Sequence, residues 1–113
     1  MYWVSVLELA RYTVRGLIGS VILHLLYRNP MHGYEIVNRI KELTGHSFGP
    51  GTIYPILYRM EEHGLIKSSW KKIGRRRMIK LYSLTEKGVE TLNELKALWR
   101  EKLVKLIHSI IGH

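Results

Sequence analysis

Residues 64–85 read GLIKSSWKKIGRRRMIKLYSLT, and their period decides the fold. From Leu65 onward apolar and polar side chains alternate. Ile66, Ser68 and Trp70 stand against Lys67, Ser69 and Lys71, and Lys80, Tyr82 and Leu84 against Ile79, Leu81 and Ser83. Side chains that repeat every two residues belong to a β-strand. Two such runs, joined by Lys72-Ile73-Gly74-Arg75-Arg76-Arg77, make a hairpin with a basic, glycine-containing tip.

Upstream the period is 3.6. Residues 3–12, with Trp3, Val6, Leu7, Leu9 and Ala10, carry a helical stripe. Leu17 to Tyr27 is apolar on all sides, the pattern of a buried helix, and Asn29-Pro30 ends it because proline donates no amide. His24 within it is expected to be a hydrogen-bonded core residue. Ile36, Val37, Ile40 and Leu43 space a helix over Tyr34–Leu43, with Gly45 at the left-handed cap position. After the turn Phe48-Gly49-Pro50-Gly51, Thr52 is the expected N-cap of a helix from Ile53 to about His63, which places Pro55 in its first turn. Its inward face is Ile53, Ile56, Leu57 and Met60; its outward face is Tyr54, Tyr58, Arg59 and Glu62.

Downstream of the hairpin, Thr85 caps a last helix that can run to Ile111, about 26 residues or roughly 39 Å at 1.5 Å per residue. Val89, Leu92, Leu95, Leu98, Trp99 and Leu103 form one stripe, and Val104, Leu106, Ile107, Ile110 and Ile111 widen it. A helix apolar over more than one side needs more than one neighbour, and a second copy of the chain is the economical cover. The expected dimer face is Leu92, Leu95, Trp99, Leu103, Leu106 and Ile110, with Trp3 and the first helix as further candidates.

The expected fold is therefore mainly α with a small β-hairpin: a winged helix-turn-helix domain over residues 1–84, then a dimerisation helix over 85–113. In that geometry the second helix of the pair enters the major groove of DNA and the hairpin reaches the backbone or minor groove. Charge agrees. The 113 residues hold 18 Lys and Arg against 9 acidic residues, all Glu, for a net charge of +9. Between Ile66 and Lys80, Lys67, Lys71, Lys72, Arg75, Arg76, Arg77 and Lys80 stand with no acid among them, so this one segment carries +7. Clustered charge of this kind neutralises phosphates and releases counterions, whereas a surface built for solubility intersperses both signs. The expected contacts to double-stranded DNA are Thr52, Tyr54, Tyr58 and Arg59 on the helix and Lys71, Lys72, Arg75, Arg76 and Arg77 on the wing. Glu61 and Glu62 would repel phosphate, so the helix is expected to dock by its N-terminal half. A bland alternative makes Tyr54 and Tyr58 packing residues with wet hydroxyls.

Other classes fare worse. Without Cys there is no thiolate metal site, disulfide or cysteine nucleophile, and without Asp any aspartate chemistry is absent. Neither a nucleophile elbow, a P-loop nor a dinucleotide fingerprint occurs, and the six histidines show no HExxH spacing. His108 and His113, five apart, do not share a helical face. No enzyme, metal or cofactor is expected. Gly16 to Tyr27 is too short to span a bilayer, and Met1 to Arg15 lacks the marks of a signal peptide, so no membrane partner and a cytoplasmic location are expected.

Four segments also carry a family resemblance: His32-Gly33-Tyr34-Glu35, Gly51-Thr52-Ile53-Tyr54-Pro55-Ile56-Leu57, Met60-Glu61-Glu62-His63-Gly64-Leu65-Ile66 and Leu81-Tyr82-Ser83-Leu84-Thr85-Glu86-Lys87-Gly88. In this order and spacing, over about residues 16 to 100, the chain resembles the PadR family of transcriptional regulators, its short subgroup with a single C-terminal helix. The resemblance implies a homodimeric regulator, usually a repressor, with Thr52 and Tyr54 opening the recognition helix and Arg75 to Arg77 near DNA. It also implies that Trp99 can line a pocket for a small aromatic or hydrophobic effector at the dimer centre; interface packing is the plainer reading of that residue. Met78-Ile79 stand where wings of the family often carry a proline. Two further functions share the fold: a basic architectural protein that coats DNA without sequence preference, and a protein-interaction module.

Overall fold

A computed structural model describes residues 5–112. Trp3, the start of the expected first helix and His113 lie outside them. Ser5 caps α1 (Val6–Arg28) by accepting the Glu8 amide at 3.1 Å. The two expected N-terminal helices are one: Gly16 and Gly19 cost helix propensity, but no cap or proline accompanies them and the helix runs through both. Its second half is buried through Ile18, Ile22, Leu23, Leu25 and Leu26. His24 corrects the expectation of a core histidine, because it lies on the exposed side of the same turn.

A two-residue strand, β1 (Met31–His32), follows Pro30 and leads into α2 (Gly33–Thr44). His32 caps α2, its Nδ1 accepting the Glu35 amide at 3.1 Å. Gly45 closes the helix at φ 74°, a left-handed conformation glycine adopts without strain, and its amide bonds the Lys41 carbonyl. The next helix, α3 (Pro50–Glu62), begins earlier than Thr52 suggested. Gly49 is the N-cap and Pro50 the first helical residue, where a missing amide is harmless. Pro55 is consequently inside the helix rather than in its first turn, and the Gly51 carbonyl lacks its usual amide; both residues are exposed, so that carbonyl is open to solvent.

The hairpin is β2 (Ile66–Ile73) and β3 (Arg77–Leu84), with Ile66 opposite Leu84 and Ile73 opposite Arg77. Its tip is Gly74-Arg75-Arg76, with Gly74 at φ 66°. β1 adds a third antiparallel strand in the order β1-β3-β2, Met31 pairing Tyr82 and His32 pairing Leu81. Thr85 caps α4 (Glu86–Leu98) by accepting the Gly88 amide at 3.0 Å, and its own hydroxyl bonds the Leu65 carbonyl. A π turn (Trp99–Leu103) and α5 (Val104–Ile111) continue the same rod.

One core joins α1 to α4 and the sheet. Ile18 and Ile22 of α1, Ile36 and Ile40 of α2, Phe48, Ile53 and Leu57 of α3, Ile66 of β2 and Leu92 of α4 belong to a single buried cluster. Phe48 anchors the loop before α3: the Arg11 guanidinium stacks 4.2 Å over its ring and donates to the Ser47 carbonyl at 2.9 Å. This ties the loop that leads into α3 to the first half of α1. No described helix is long and apolar enough to cross a membrane.

Candidate nucleic-acid interface

The buried face of α3 is Ile53, Leu57 and Met60. Tyr54, Tyr58 and Glu62 therefore form an outward row at i, i+4 and i+8, with Arg59 beside it. Tyr58 is 65% exposed and Tyr54 42%; Arg59 is exposed and Thr52 half-buried. Glu61 is turned aside, since its carboxylate accepts the Ser68 hydroxyl of β2 at 2.5 Å and pins the wing to α3. Only Glu62, near the C-terminal end, puts negative charge on that row.

Tyr54 does more than face solvent. Its ring lies across Gly33 at the start of α2, so closely that a Cβ on that glycine would collide with the ring and its hydroxyl. Tyr82, behind it on β3, is 5% exposed, and burial, with Tyr54 and then Glu61 nearby, raises its phenol above the ordinary value.

Wing residues Lys67, Lys71, Lys72, Arg75, Arg76 and Arg77 are all exposed, and Lys80 is half-buried with its ammonium 5.6 Å above the Tyr82 ring. The acid–base side-chain contacts among the described residues, Arg39–Glu42 at 3.6 Å and His32–Glu35 at 4.0 Å, the latter an ion pair only with a protonated imidazole, use none of these cations. Their charge is thus free for an external anion. Exposed Ile73, Met78 and Trp70 accompany them. Sequence reasoning did not count Tyr34, which stands 67% exposed at the start of α2, or Lys80 among the contact residues. Both become neighbours of Tyr54 only through the fold. Among the described residues no three His or Glu side chains gather where they could hold a metal ion.

On the other side of the domain, Leu17, Val21, Leu43, Leu92 and Trp99 line an apolar cavity of about 250 Å³, with His24 and Lys96 at its polar edge. Leu92, expected at a dimer face, is 3% exposed and packs in its own core. The correction is steric: α4 lies on α1 there, which leaves Leu92 no free surface. No residue of α5 is buried; Leu106 is 56% and Ile110 70% exposed, and Leu98 of α4 joins them at 56%. The large exposed apolar residues of α1 are Val6, Leu7, Leu9 and Tyr12 in its first half and Tyr27 near its end.

A helix pair joined by a tight turn, followed by a basic antiparallel wing, defines a winged helix-turn-helix. Comparison with known proteins then narrows the class. The "Transcriptional regulator PadR-like family" matches residues 22–94. "Transcriptional regulator Rv3488" of Mycobacterium tuberculosis is 35% identical over 98 residues, 83% of this chain and 85% of that protein. "Transcriptional regulator YqjI" of Escherichia coli is 35% identical over 86 residues, 74% of this chain; the chain spans only 40% of the length of that relative. Among solved structures, a PadR family transcriptional regulator from Eggerthella lenta superposes with a TM-score of 0.82 at 27% identity, covering 96% of this chain and 94% of that one. The chain belongs to the PadR-like family of transcriptional regulators, a family of DNA-binding proteins rather than of enzymes.

Proposed function

We propose that the chain represses transcription as a homodimer that reads a palindromic operator. Thr52, Tyr54, Tyr58 and Arg59 meet the major groove, and Lys71, Lys72 and Arg75 to Arg77 neutralise phosphates beside it. The observation that carries this reading is the acid-free run of wing cations, none of them ion-paired within the described residues, next to the outward row of α3. Dimerisation uses Leu95, Trp99, Leu103, Leu106 and Ile110 together with Leu98, and is supported by an apolar α5 with no buried residue. Dyad symmetry then spaces the half-sites one helical turn, or a multiple, apart.

The cavity beside Trp99 supports release by a small aromatic or hydrophobic effector. It is bordered by α1, α2 and α4, so an occupant that fits only one arrangement of these helices shifts the angle between the two DNA-binding units.

The test is selection of bound duplexes from random DNA, followed by titration of the selected and a scrambled duplex at two salt concentrations. Selection of a palindrome that out-competes the scrambled duplex is the expected result. Equal affinity for both would establish a sequence-blind architectural protein instead, and no binding at low salt an interaction module.

A further inference from the structure

A helix in the major groove and a hairpin in the adjacent minor groove have one sugar–phosphate strand between them, because that strand is what separates the grooves. The space between α3 and the wing must therefore admit a polyanion. It holds a polar cleft of about 380 Å³ where three elements that are distant in sequence converge. α2 brings Gly33 and Tyr34, α3 brings Tyr54, and the wing brings Arg77 and Lys80. No acidic side chain lines the cleft, and Arg77 and Lys80 belong to no ion pair among the described residues; His32, also in the lining, has its Nε2 4.0 Å from the Glu35 carboxylate.

We propose that this cleft seats a backbone phosphate of that dividing strand, held by Arg77 and Lys80 and by the hydroxyls of Tyr34 and Tyr54. The inference rests on the DNA-binding reading above and adds to it a defined anion site with two residues, Tyr34 and Lys80, that the recognition helix and wing tip do not include. Each wall does a separate job. The Tyr82 ring lies under the Lys80 ammonium, restraining it near the cleft, while Arg77 brings a planar guanidinium suited to phosphate. Gly33 is the floor: with no Cβ it allows the Tyr54 ring and hydroxyl to lie across the start of α2, so that this member of the outward row also lines the cleft. The wing isoleucines Ile73 and Ile79 supply an apolar side, which suits the deoxyribose attached to a phosphate. A phosphate gripped from α2, α3 and the wing together would fix the register of the recognition helix relative to the wing, a positioning role that carries no base information itself.

Single methylphosphonate substitution along the selected operator tests this, because it neutralises one phosphate at a time. In the wild type, one position per half-site should weaken binding about tenfold or more, the range of a charge-assisted hydrogen-bond set. In Lys80→Gln and in Tyr34→Phe the effect at that position should shrink while effects elsewhere persist, and Lys80→Gln should make the salt slope shallower by about 0.9 per protomer. Tyr34→Phe removes only an exposed hydroxyl, so its result does not depend on refolding. Gly33→Ala should displace Tyr54 and weaken the same position. An interference pattern and salt slope identical to wild type in both Lys80→Gln and Tyr34→Phe would overturn the cleft while leaving DNA binding intact. A wild type that binds no duplex at low salt would overturn both. As a further arm, inorganic phosphate titrated at constant ionic strength should leave the backbone amide signals of Gly33 and Tyr34 unsaturated; tight saturable binding without any methylphosphonate effect would assign the cleft to a free anion and refute the proposal.

Discussion

Replacing Arg75, Arg76 and Arg77 together by alanine separates the wing's electrostatics from its fold. All three are exposed, two in the turn at the tip and one at the start of β3, and no ion pair among the described residues involves them. Exposed substitutions of this kind shift stability by no more than about 0.5 kcal/mol, so the loss should fall on binding alone. If each arginine neutralises one phosphate, the slope of log affinity against log salt becomes shallower by about 2.7 per protomer. Extrapolated from a 1 M reference to 0.1 M salt, that is about 500-fold in affinity, about 3.7 kcal/mol. A dimer with both wings engaged loses twice the slope, so the size of the change also counts wings. Anisotropy titrations of a labelled operator across several salt concentrations measure it, with a scrambled duplex alongside. Both duplexes should weaken in parallel. A large loss of operator affinity with an unchanged slope would refute the phosphate assignment, because it would mean that the arginines read base edges.

Three other outcomes test packing and assembly. Gly88→Ala should cost about 1–3 kcal/mol in chemical denaturation, because its Cβ would meet the Leu65 carbonyl and the Leu84 side chain; an unchanged midpoint would disprove that close approach. Tyr82 has its phenol raised above 10.0 in the folded chain, so its contribution is present below pH 10 and is lost as pH rises through the folded value. Tyr82→Phe should therefore remove part of the alkaline fall in stability, at most about 1.4 kcal/mol per pH unit, and a wild-type-minus-variant difference that stays flat above pH 10 would refute it. Ile110→Glu, on a helix with no buried residue, should leave the monomer folded and convert a sedimenting dimer to monomer; a wild type that sediments as a monomer would end the dimer proposal.

The wing and α2 were legible because their signals are local. A change of period from 3.6 to 2, a basic turn and a glycine in the left-handed region each act over a few residues. The misreadings come from rules that do not see across the chain. Gly49-Pro50-Gly51 has the composition of a turn, yet a glycine N-cap and a proline at the first helical position are also how a helix begins, and only the burial of Phe48 and Ile53 in one core, on either side of that start, decides between them. Residues 3–12 and Leu17 to Tyr27 read as separate helical stripes because their apolar patterns differ, but Ile18 and Ile22 are buried in a helix that runs unbroken through Gly16 and Gly19. β1 is two residues long and exists only because β3 lies beside it. The cleft is invisible in sequence for the same reason: residues 33, 34, 54, 77 and 80 share no window.

The π turn changes what the last helix presents. At about 100° per residue, an unbroken α-helix would scatter the apolar residues from Leu92 to Ile111 over about 240°, with Leu98 on one flank and Val104 and Ile111 on the other. The Val104 amide instead bonds the Trp99 carbonyl five residues back, so one extra residue is taken up and everything beyond is turned back by about 100°. Val104, Ile107 and Ile111 then continue the line of Leu92 and Trp99, while Leu106 and Ile110 come into line with Leu98. The same residues now span about 160°. A face of that width is broader than one neighbouring helix covers but still leaves the opposite side polar, where Arg100 and Lys105 are exposed. A second copy brings two uncovered apolar surfaces to meet it, its own α5 and the Val6, Leu7, Leu9 and Tyr12 end of α1. The width of the face, set by one inserted residue next to Trp99, matches a partner that contributes two helices, which adds α1 to the proposed dimer contacts and puts the cavity beside Trp99 next to the joint.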